Sequence, residues 1–311
     1  MKILHFSEYD NYEQLKKAIN LSLQYDFVDD TFLKTLTYKD PNFNENDILI
    51  AIEDNEIISF IFGVERIKEP REKVEEHKEI MWIKAFGVLY RYKNRGILDR
   101  LFKEFEEYVK EKLKKVIRIS DYASWYLTPG VDNLYDYYNK FLVTQGYRRL
   151  GSTVNYEIDM SRFYIPTYVY DIMRKKFSEK DIHIINIKNN IDKTTLDWIK
   201  EHFSVFWKIE AKIAMENNFG GVLIAINNDK ILGFSTYGSL HPSWFGPIGV
   251  SKEARGLGIG TVLLFKTLEE LKANGQRIVT IPWTSHLFYY TQLPGIMKIR
   301  HFNIYVKEII K

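Results

Sequence analysis

The sequence predicts an α/β protein of two tandem domains, each with a central mixed, mostly antiparallel sheet flanked by helices. Three observations support this fold class. The chain has 311 residues, about twice the ~150 residues of a typical domain. Apolar residues follow alternating strand and helix periods in both halves, and the order of elements in the second half repeats that of the first. We expect domains at 1–160 and 180–311, with a linker and helix at 161–179.

The first half begins with a predicted strand at Lys2–Phe6 and a helix near Tyr12–Leu23. Two strands follow, DILIAIED and EIISFIFGVERI, and Asp54–Asn55 between them is typical of a tight hairpin turn. After a charged loop, IMWIKAFGVLY predicts another strand. ILDRLFKEFEEYVKEKLKK has apolar residues at helical spacing with opposite charges outside, which predicts a long helix. TPGVDNLYDYYNKFLVTQGY then predicts a turn and a helix, and STVNYEIDM a closing strand.

The second half repeats this order after the linker SRFYIPTYVYDIMRKKFSEK. IHIINIK predicts a strand, and TTLDWIKEHFSVFWKIEAKIAMEN predicts helices. In GGVLIAINNDKILGFSTYGSL, the pair Asn228–Asp229 indicates a second hairpin turn. FGPIGV, TVLLFKTLEELKANG and IPWT then predict a strand, a long helix and a strand, before a short helix in HLFYYT.

The repetition extends to individual residues. When Gly87 is placed on Gly249 without a gap, Gly96 falls on Gly258 and Leu98 falls on Gly260. A strand ends, a basic residue follows and a helix begins at equivalent places in both copies. This match indicates a tandem duplication in which one copy has changed.

The composition excludes several classes of function. The 44 basic and 41 acidic residues leave a formal charge of +3, too balanced for a surface that binds nucleic acid or an anionic membrane. The chain has no Cys, which excludes disulfides, thiolate nucleophiles and cysteine metal sites. No stretch approaches the ~18 apolar residues of a membrane span, and the beginning, MKILHFSEYDNYEQ, turns acidic before an export signal can form. We expect a cytoplasmic protein with a small-molecule partner and no metal.

The segment ARGLGIGTVLL, residues 254–264, has three glycines at alternate positions directly before a predicted helix. Free backbone N–H groups at a helix N-terminus, the helix dipole and Arg255 together favour an anion, and phosphate can approach glycine because no Cβ intervenes. A dinucleotide-binding fold would need glycine at Thr261, and a P-loop would need Gly-Lys-Ser/Thr. The pattern that remains is R-x-x-G-x-G, at Arg255, Gly258 and Gly260.

This pattern, with Val250 ending the strand before it, resembles the acetyl-CoA site of the GNAT superfamily of acyltransferases. In that family the turn amides bind the coenzyme diphosphate, and the preceding strand offers backbone hydrogen bonds to pantetheine. The resemblance implies an acetyl-CoA-dependent acetyltransferase. The coenzyme-binding residues that it implies are Ile248, Gly249, Val250, Arg255, Gly256, Leu257, Gly258, Ile259, Gly260 and Thr261.

A tyrosine on the short helix after the next strand is a second feature of that family. IPWTSHLFYYTQLPGI carries Tyr289 and Tyr290 before Gly295, and alignment with sequences of the form FYEKxxG places Tyr290 near the thioester sulfur. A phenol with a pKa near ~10 is protonated at neutral pH, so Tyr290 can donate a proton to the departing thiolate. We expect Tyr289 to belong to the core.

The general base is less evident, because WFGPIGV lacks the glutamate that GNAT enzymes often place before the turn. His241, at the entry to that strand, and His286, at the end of the next, are candidates because imidazole titrates near neutrality. The alternative for each is a loop histidine bonded to backbone. Other candidates each have a structural alternative as a solvated charge, a helix cap or a core residue: Glu210, Glu216, Asp132, Trp244 and Trp283.

The first copy departs from the family pattern at two places. Leu98 stands where the second copy has Gly260, so an isobutyl group would meet the approaching phosphate. Aligning Gly146 with Gly295 puts Phe141 opposite Tyr290. We therefore expect the first domain to bind coenzyme poorly or not at all.

The motifs FGPIGV…RGLGIG, IPWTSHLFYYTQLPG and YLTPGVDNLYDYYNKFLVTQGY together resemble a bacterial and archaeal tandem-GNAT group that includes glucosaminide N-acetyltransferases. The resemblance implies N-acetylation of a primary amine on a small molecule, with an amino sugar as one acceptor class. Two alternatives stay open: an acetyltransferase that acts on a protein or peptide amine, and a non-catalytic protein that senses coenzyme A.

Overall fold

A computed structural model of the chain describes residues 1–309, which form two compact units. The first unit holds Met1–Thr153 together with residues 301–309, and the second holds Val154–Arg300. This division differs from the predicted boundaries of 160 and 180. The end of the chain belongs to the first unit because its last strand pairs there, with Tyr305 opposite Ile119.

The first unit has a mixed, mostly antiparallel sheet with helices packed against it. Its strand order is β1-β2-β3-β4-β5 followed by residues 301–308 of β13 (Ile296–Glu308), and only β4 and β5 run parallel. Short β6 pairs antiparallel with β13. In chain order the elements are β1 (Lys2–His5), α1 (Tyr12–Ser22), α2 (Asp30–Leu36), β2 (Ile48–Glu53), β3 (Glu56–Glu65), α3 (Arg71–Val74), β4 (Ile80–Val88), α4 (Ile97–Glu111), β5 (Val116–Ile119), β6 (Val131–Asp132), α5 (Asp136–Thr144) and β7 (Arg148–Asp159).

The second unit begins inside β7 and repeats the order of elements. Its strands form an antiparallel sheet in the order β11-β10-β9-β8, and β12 pairs antiparallel with residues 154–159 of β7. Its elements are α6 (Thr167–Ile172), which continues as a π-helical turn (Met173–Phe177), β8 (His183–Ile187), α7 (Lys193–His202), α8 (Val205–Glu216), β9 (Gly221–Asn227), β10 (Lys230–Tyr237), β11 (Phe245–Val250), α9 (Ile259–Ala273), β12 (Ile278–Thr284), α10 (Leu287–Tyr290) and β13 (Ile296–Glu308).

The two predicted hairpin turns are confirmed. Asp54 and Asn55 have φ of 50° and 59°, and Asn228 and Asp229 have φ of 43° and 64°. Two successive residues of positive φ are what a two-residue type I′ hairpin requires, and Asn and Asp tolerate that region better than other non-glycine residues.

In each unit the strand before the glycine turn separates from its parallel neighbour. β4 pairs with β5 only over Ile80–Ile83. In the second unit a single parallel bridge, Trp244 to Thr280, links the beginning of β11 to β12. The rest of each strand therefore has a backbone edge that no strand covers within residues 1–309. Such an edge offers unpaired N–H and C=O groups.

Helix α9 anchors the second unit because its apolar residues lie in one buried cluster with residues of β9 to β12. Val262, Leu263 and Phe265 are fully buried there. The packed helix therefore places its N-terminal turn at the end of β11. Over the described chain, no helix combines the length and the apolar character that crossing a membrane requires.

Candidate functional site

The turn between β11 and α9 has the backbone that the glycine pattern predicted. Gly256 and Gly258 have φ of 82° and 84°, in the left-handed region that glycine adopts without a steric penalty. Gly258 is the N-cap of α9, and no side chain caps that end of the helix among the described residues. The first intrahelical bond at this end runs from Val262 N–H to the Gly258 carbonyl. The N–H groups of 259–261 thus have no partner within the helix, which suits an anion.

Gly260 lies in a narrow place between the strand and the short helix α10. A Cβ at this position would lie 3.1 Å from Oη of Tyr289 and 3.5 Å from Cγ2 of Val250. Any larger side chain would fill the space between these two groups. The structure therefore gives a physical reason for glycine here that the sequence pattern did not contain.

The edge of β11 presents backbone groups next to this turn. Ser251 N–H donates to the Leu232 carbonyl across the β10–β11 pair, at 2.9 Å. Since alternate residues of an antiparallel strand face alternate sides, the N–H and C=O of Val250 and Ile248 face away from β10. This is the predicted pantetheine-binding stretch, and its outward groups lie on the uncovered edge described above.

Positive charge at the turn comes from two segments. Arg255 is exposed, as expected for a residue that meets an anion. Lys176, in the π-helical turn that follows α6, donates from Nζ to the Gly256 carbonyl at 3.3 Å. Ile172 packs on the same turn, because its Cγ2 lies 2.7 Å from where a Cβ of Gly258 would stand. Sequence reasoning treated this segment as a linker and missed Lys176, although the basic run RKK was a visible signal.

The two adjacent tyrosines of α10 point in different directions, since neighbouring residues on a helix are about 100° apart. Tyr290 lies in the core cluster, with its ring 5.6 Å from that of Tyr156 and 6.4 Å from that of Phe245. Tyr289 directs its hydroxyl to Gly260. The expectation that Tyr289 is a plain core residue is therefore incomplete, because the side chain also borders the turn.

Both tyrosines stay protonated at neutral pH. Burial raises the pKa of Tyr290 to about 12, although a hydrogen bond with Thr284 opposes the rise. Burial also raises the pKa of Tyr289, and the neighbouring phenols Tyr290 and Tyr168 add to that rise. Each side chain can therefore act as a proton or hydrogen-bond donor across the physiological range.

The two candidate bases differ in their surroundings. Nδ1 of His241 accepts from the N–H of Ser243 at 3.2 Å and lies 2.9 Å from its Oγ. A backbone N–H can only donate, so this nitrogen is already used as an acceptor. His286 is exposed, and its imidazole makes no hydrogen bond to other described residues. Of the two, His286 keeps a nitrogen available to accept a proton.

The other predicted candidates lie in structural contacts. Glu216 pairs with Lys212 at 3.6 Å, one helical turn away on α8. Asp132 accepts from the N–H of Leu134 at 2.8 Å, so it forms a local turn and is not the N-cap of α5, which is Tyr135. Glu210, Trp244 and Trp283 are half-buried. Across residues 1–309, His, Asp and Glu form no group of three or more that could hold a metal ion.

The chain is similar to known acetyltransferases. Residues 192–287 match the model of the Acetyltransferase (GNAT) family. A comparison with curated proteins finds no match.

Three solved structures show the same fold at low sequence identity. A GCN5-related glucosamine N-acetyltransferase region of a fungal multi-domain GH3 beta-N-acetylglucosaminidase is 13% identical, with a TM-score of 0.77; the match covers 98% of this chain but only 38% of that one. A tandem GNAT protein from the clavulanic acid biosynthesis pathway is 10% identical, with a TM-score of 0.67 and coverage of 100% and 99%. A GCN5-related N-acetyltransferase from Sphaerobacter thermophilus is 14% identical, with a TM-score of 0.64 and coverage of 96% and 92%.

At these identities the likeness to solved structures concerns the fold, while the family match concerns the second unit, where the glycine turn lies. The predicted resemblance and fold class are both confirmed. Residues 192–287 are a domain of the GNAT acetyltransferase family, and the chain as a whole has the two-domain tandem GNAT fold.

Proposed function

We propose that the second unit transfers an acetyl group from acetyl-CoA to a primary amine of a small molecule, with an amino sugar as the acceptor class to test first. The observation that carries this proposal is the N-terminus of α9, which no side chain of residues 1–309 caps, beside the edge of β11, which no strand of the same residues covers. The helix N-terminus suits a diphosphate, and the strand edge suits an extended arm that contains amide groups. The amino-sugar part rests on the resemblance and on the fold shared with a glucosamine N-acetyltransferase region.

Each part of the site has a distinct role in this proposal. The N–H groups of 259–261 and the Arg255 guanidinium bind the diphosphate. The outward N–H and C=O groups of Ile248 and Val250 bind the pantetheine arm. An N–H of this strand also stabilises the oxyanion that develops on the acetyl carbonyl as the amine attacks.

Two proton transfers complete the reaction. His286 accepts a proton from the acceptor amine, directly or through water, so that the nitrogen lone pair can attack the carbonyl carbon. The C–S bond then breaks, and Tyr290 gives its proton to the departing thiolate. The Tyr290 phenolate takes a proton back from solvent, and His286 releases the amine's proton to solvent, which restores both side chains. Because the pKa of Tyr290 is about 12, the phenol still carries its proton at neutral pH when the thiolate forms.

The proposal is tested by mixing the purified chain with acetyl-CoA and a panel of amines that includes glucosamine, and by following free thiol. We expect one small amine to raise thiol release well above the rate without an acceptor. A peptide amine that exceeds every small molecule would instead support action on proteins.

A coenzyme-sensing protein is the second candidate, because FGPIGV on β11 contains no carboxylate. Coenzyme binding without turnover for any amine would support that function. The same experiment therefore distinguishes the two candidates when binding is measured by calorimetry alongside thiol release.

Lys176 provides a test of the coenzyme site that does not depend on the acceptor. Replacing Lys176 with Ala removes a cation from the turn, so we expect coenzyme A to bind about fivefold more weakly, with the difference shrinking at high salt. Lys175→Ala is the matched control, because it removes the same charge from the neighbouring exposed residue. Equal losses for both variants, measured by calorimetry, would mean that the contact with Gly256 has no particular role.

A further inference from the structure

The first unit has the same turn as the second, although its sequence departs from the pattern. Gly96 has a φ of 68° and is the N-cap of α4, as Gly258 is the N-cap of α9. Both helices have 15 residues. The backbone of a coenzyme turn is therefore retained in the first unit, and its loss cannot explain why this copy would bind no coenzyme.

The strand before this turn also has the same orientation. Leu89 N–H donates to the Ile58 carbonyl at 2.9 Å, so the N–H and C=O of Val88 face away from β3. Val88 falls on Val250 in the gap-free alignment of the two copies. Because β5 pairs with β4 only through Ile83, no strand covers Val88 within residues 1–309.

A tyrosine hydroxyl occupies these backbone groups in the first unit. Oη of Tyr138, on α5, accepts from the N–H of Val88 at 3.2 Å. As a donor, the same hydroxyl is within hydrogen-bond distance of two carbonyl oxygens, that of Ser22 at 3.1 Å and that of Val88 at 3.3 Å. Tyr138 is 2% exposed, and its ring packs edge-on against Phe86 at 5.2 Å. The hydroxyl is thus held on the strand edge from both sides.

The remainder of the cleft is filled as well. Oγ of Ser120 approaches the Lys84 carbonyl, at the other end of the uncovered stretch, at 3.5 Å. Leu98 is buried. The pocket that Lys84, Ser120 and Tyr138 help to line has a volume of about 20 Å³, which holds about one water molecule. A pantetheine arm needs more room than this pocket offers beside Tyr138.

We propose that Tyr138 prevents the first unit from binding coenzyme. Its hydroxyl makes hydrogen bonds with the backbone N–H and C=O of Val88, the groups that a pantetheine arm would need. The chain then has one coenzyme site, in the second unit. This inference rests on the proposed function for the path of the coenzyme along Ile248–Val250. The second unit has no hydroxyl at the corresponding position, because aligning Gly146 with Gly295 puts Leu287 opposite Tyr138. The hydroxyl of Tyr289 lies beside Gly260 instead.

Hydrogen exchange of the full chain tests this inference, with and without coenzyme A. Mass spectrometry with fragments that separate single amides would follow Val88 and Val250. We expect coenzyme A to slow exchange at Val250 about tenfold and to leave Val88, already bonded to Tyr138, unchanged. Slowing at Val88 on addition of coenzyme A would overturn the inference.

A pair of variants tests Tyr138 without any coenzyme. Tyr138→Phe keeps the buried ring and removes only the hydroxyl, so we expect the fold to persist and Val88 to exchange about tenfold faster. Tyr137→Phe is the matched control, because the Tyr137 hydroxyl has a single hydrogen bond within residues 1–309, from the exposed N–H of Asn94 at 3.5 Å. An unchanged Val88 rate in Tyr138→Phe would refute the inference.

The two experiments also separate this inference from the proposed function. If coenzyme A slows exchange at neither strand, the proposed coenzyme site is wrong. The comparison of Tyr138→Phe with Tyr137→Phe still decides, in that case, whether Tyr138 holds the edge of the first unit. Calorimetry adds a further check, since we expect one coenzyme A bound per chain and two would contradict the closure.

Discussion

Replacing Gly260 with Leu is expected to abolish coenzyme A binding, the largest effect that we expect from a single substitution. A Cβ at this position already lies 3.1 Å from Oη of Tyr289 and 3.5 Å from Cγ2 of Val250. The three further carbons of leucine must displace one of these groups or extend into the space before the helix amides. Isothermal calorimetry of the full chain is the measurement, and retained binding would show that this space is not the coenzyme site.

Two matched variants distinguish a local block from general destabilisation. Gly260→Ala adds only the Cβ. The closest neighbour of this atom is a tyrosine hydroxyl that can shift by a few tenths of an ångström, so we expect coenzyme binding to be weakened but not abolished. Gly151→Leu places the same side chain in the first unit, where a Cβ meets nothing within 4 Å. We expect this control to bind coenzyme A as the unaltered chain does.

Replacing Tyr290 with Phe is expected to lower kcat about 100-fold while coenzyme affinity stays nearly constant, as loss of a general acid would. Phenylalanine keeps the aromatic contacts with Tyr156 and Phe245, so the core should remain packed. Steady-state kinetics of thiol release, combined with calorimetry, measures the two quantities separately. Weakened binding with unchanged turnover would contradict a proton-donor role.

The neighbouring tyrosine supplies the contrast for that experiment. Tyr289→Phe removes the hydroxyl beside Gly260, so we expect its main effect on coenzyme binding and only a small effect on kcat. The pH profile adds an independent test of Tyr290. Burial raises the pKa of this phenol to about 12, so it remains a donor through pH 10 and loses its proton only as the pH rises further. A fall in rate near pH 10 that disappears in Tyr290→Phe would contradict this environment.

Local sequence signals predicted much of the fold. The hairpins at Asp54–Asn55 and Asn228–Asp229 could be predicted because their turn type depends on two residues alone. The turn before α9 could be predicted because the positive φ at Gly256 and Gly258 favours glycine. The duplication was visible in the sequence for the same reason, because both copies have the end of a strand, a basic residue and the start of a helix at equivalent positions around this turn.

Features that depend on distant residues were not predictable in this way. The predicted boundary of the second domain placed residues 301–311 with the preceding chain, yet the last strand pairs with β5 of the first unit. Strand periodicity shows which face of a strand is buried and does not show which strand lies beside it. The contact between Lys176 and Gly256 was overlooked for a similar reason: the basic run RKK is visible in the sequence, but 80 residues separate the two partners.

By itself, the sequence determined the tandem α/β organisation, the two hairpin turns, the uncapped glycine turn and the family resemblance. Only the tertiary structure decided that Tyr289 borders Gly260, that Nδ1 of His241 is already engaged, and that Tyr138 occupies the strand edge of the first unit. The physical reason is that the conformation of a turn depends on the dihedral angles that its own residues can adopt. The contacts of a side chain depend instead on packing among elements that lie far apart in the chain.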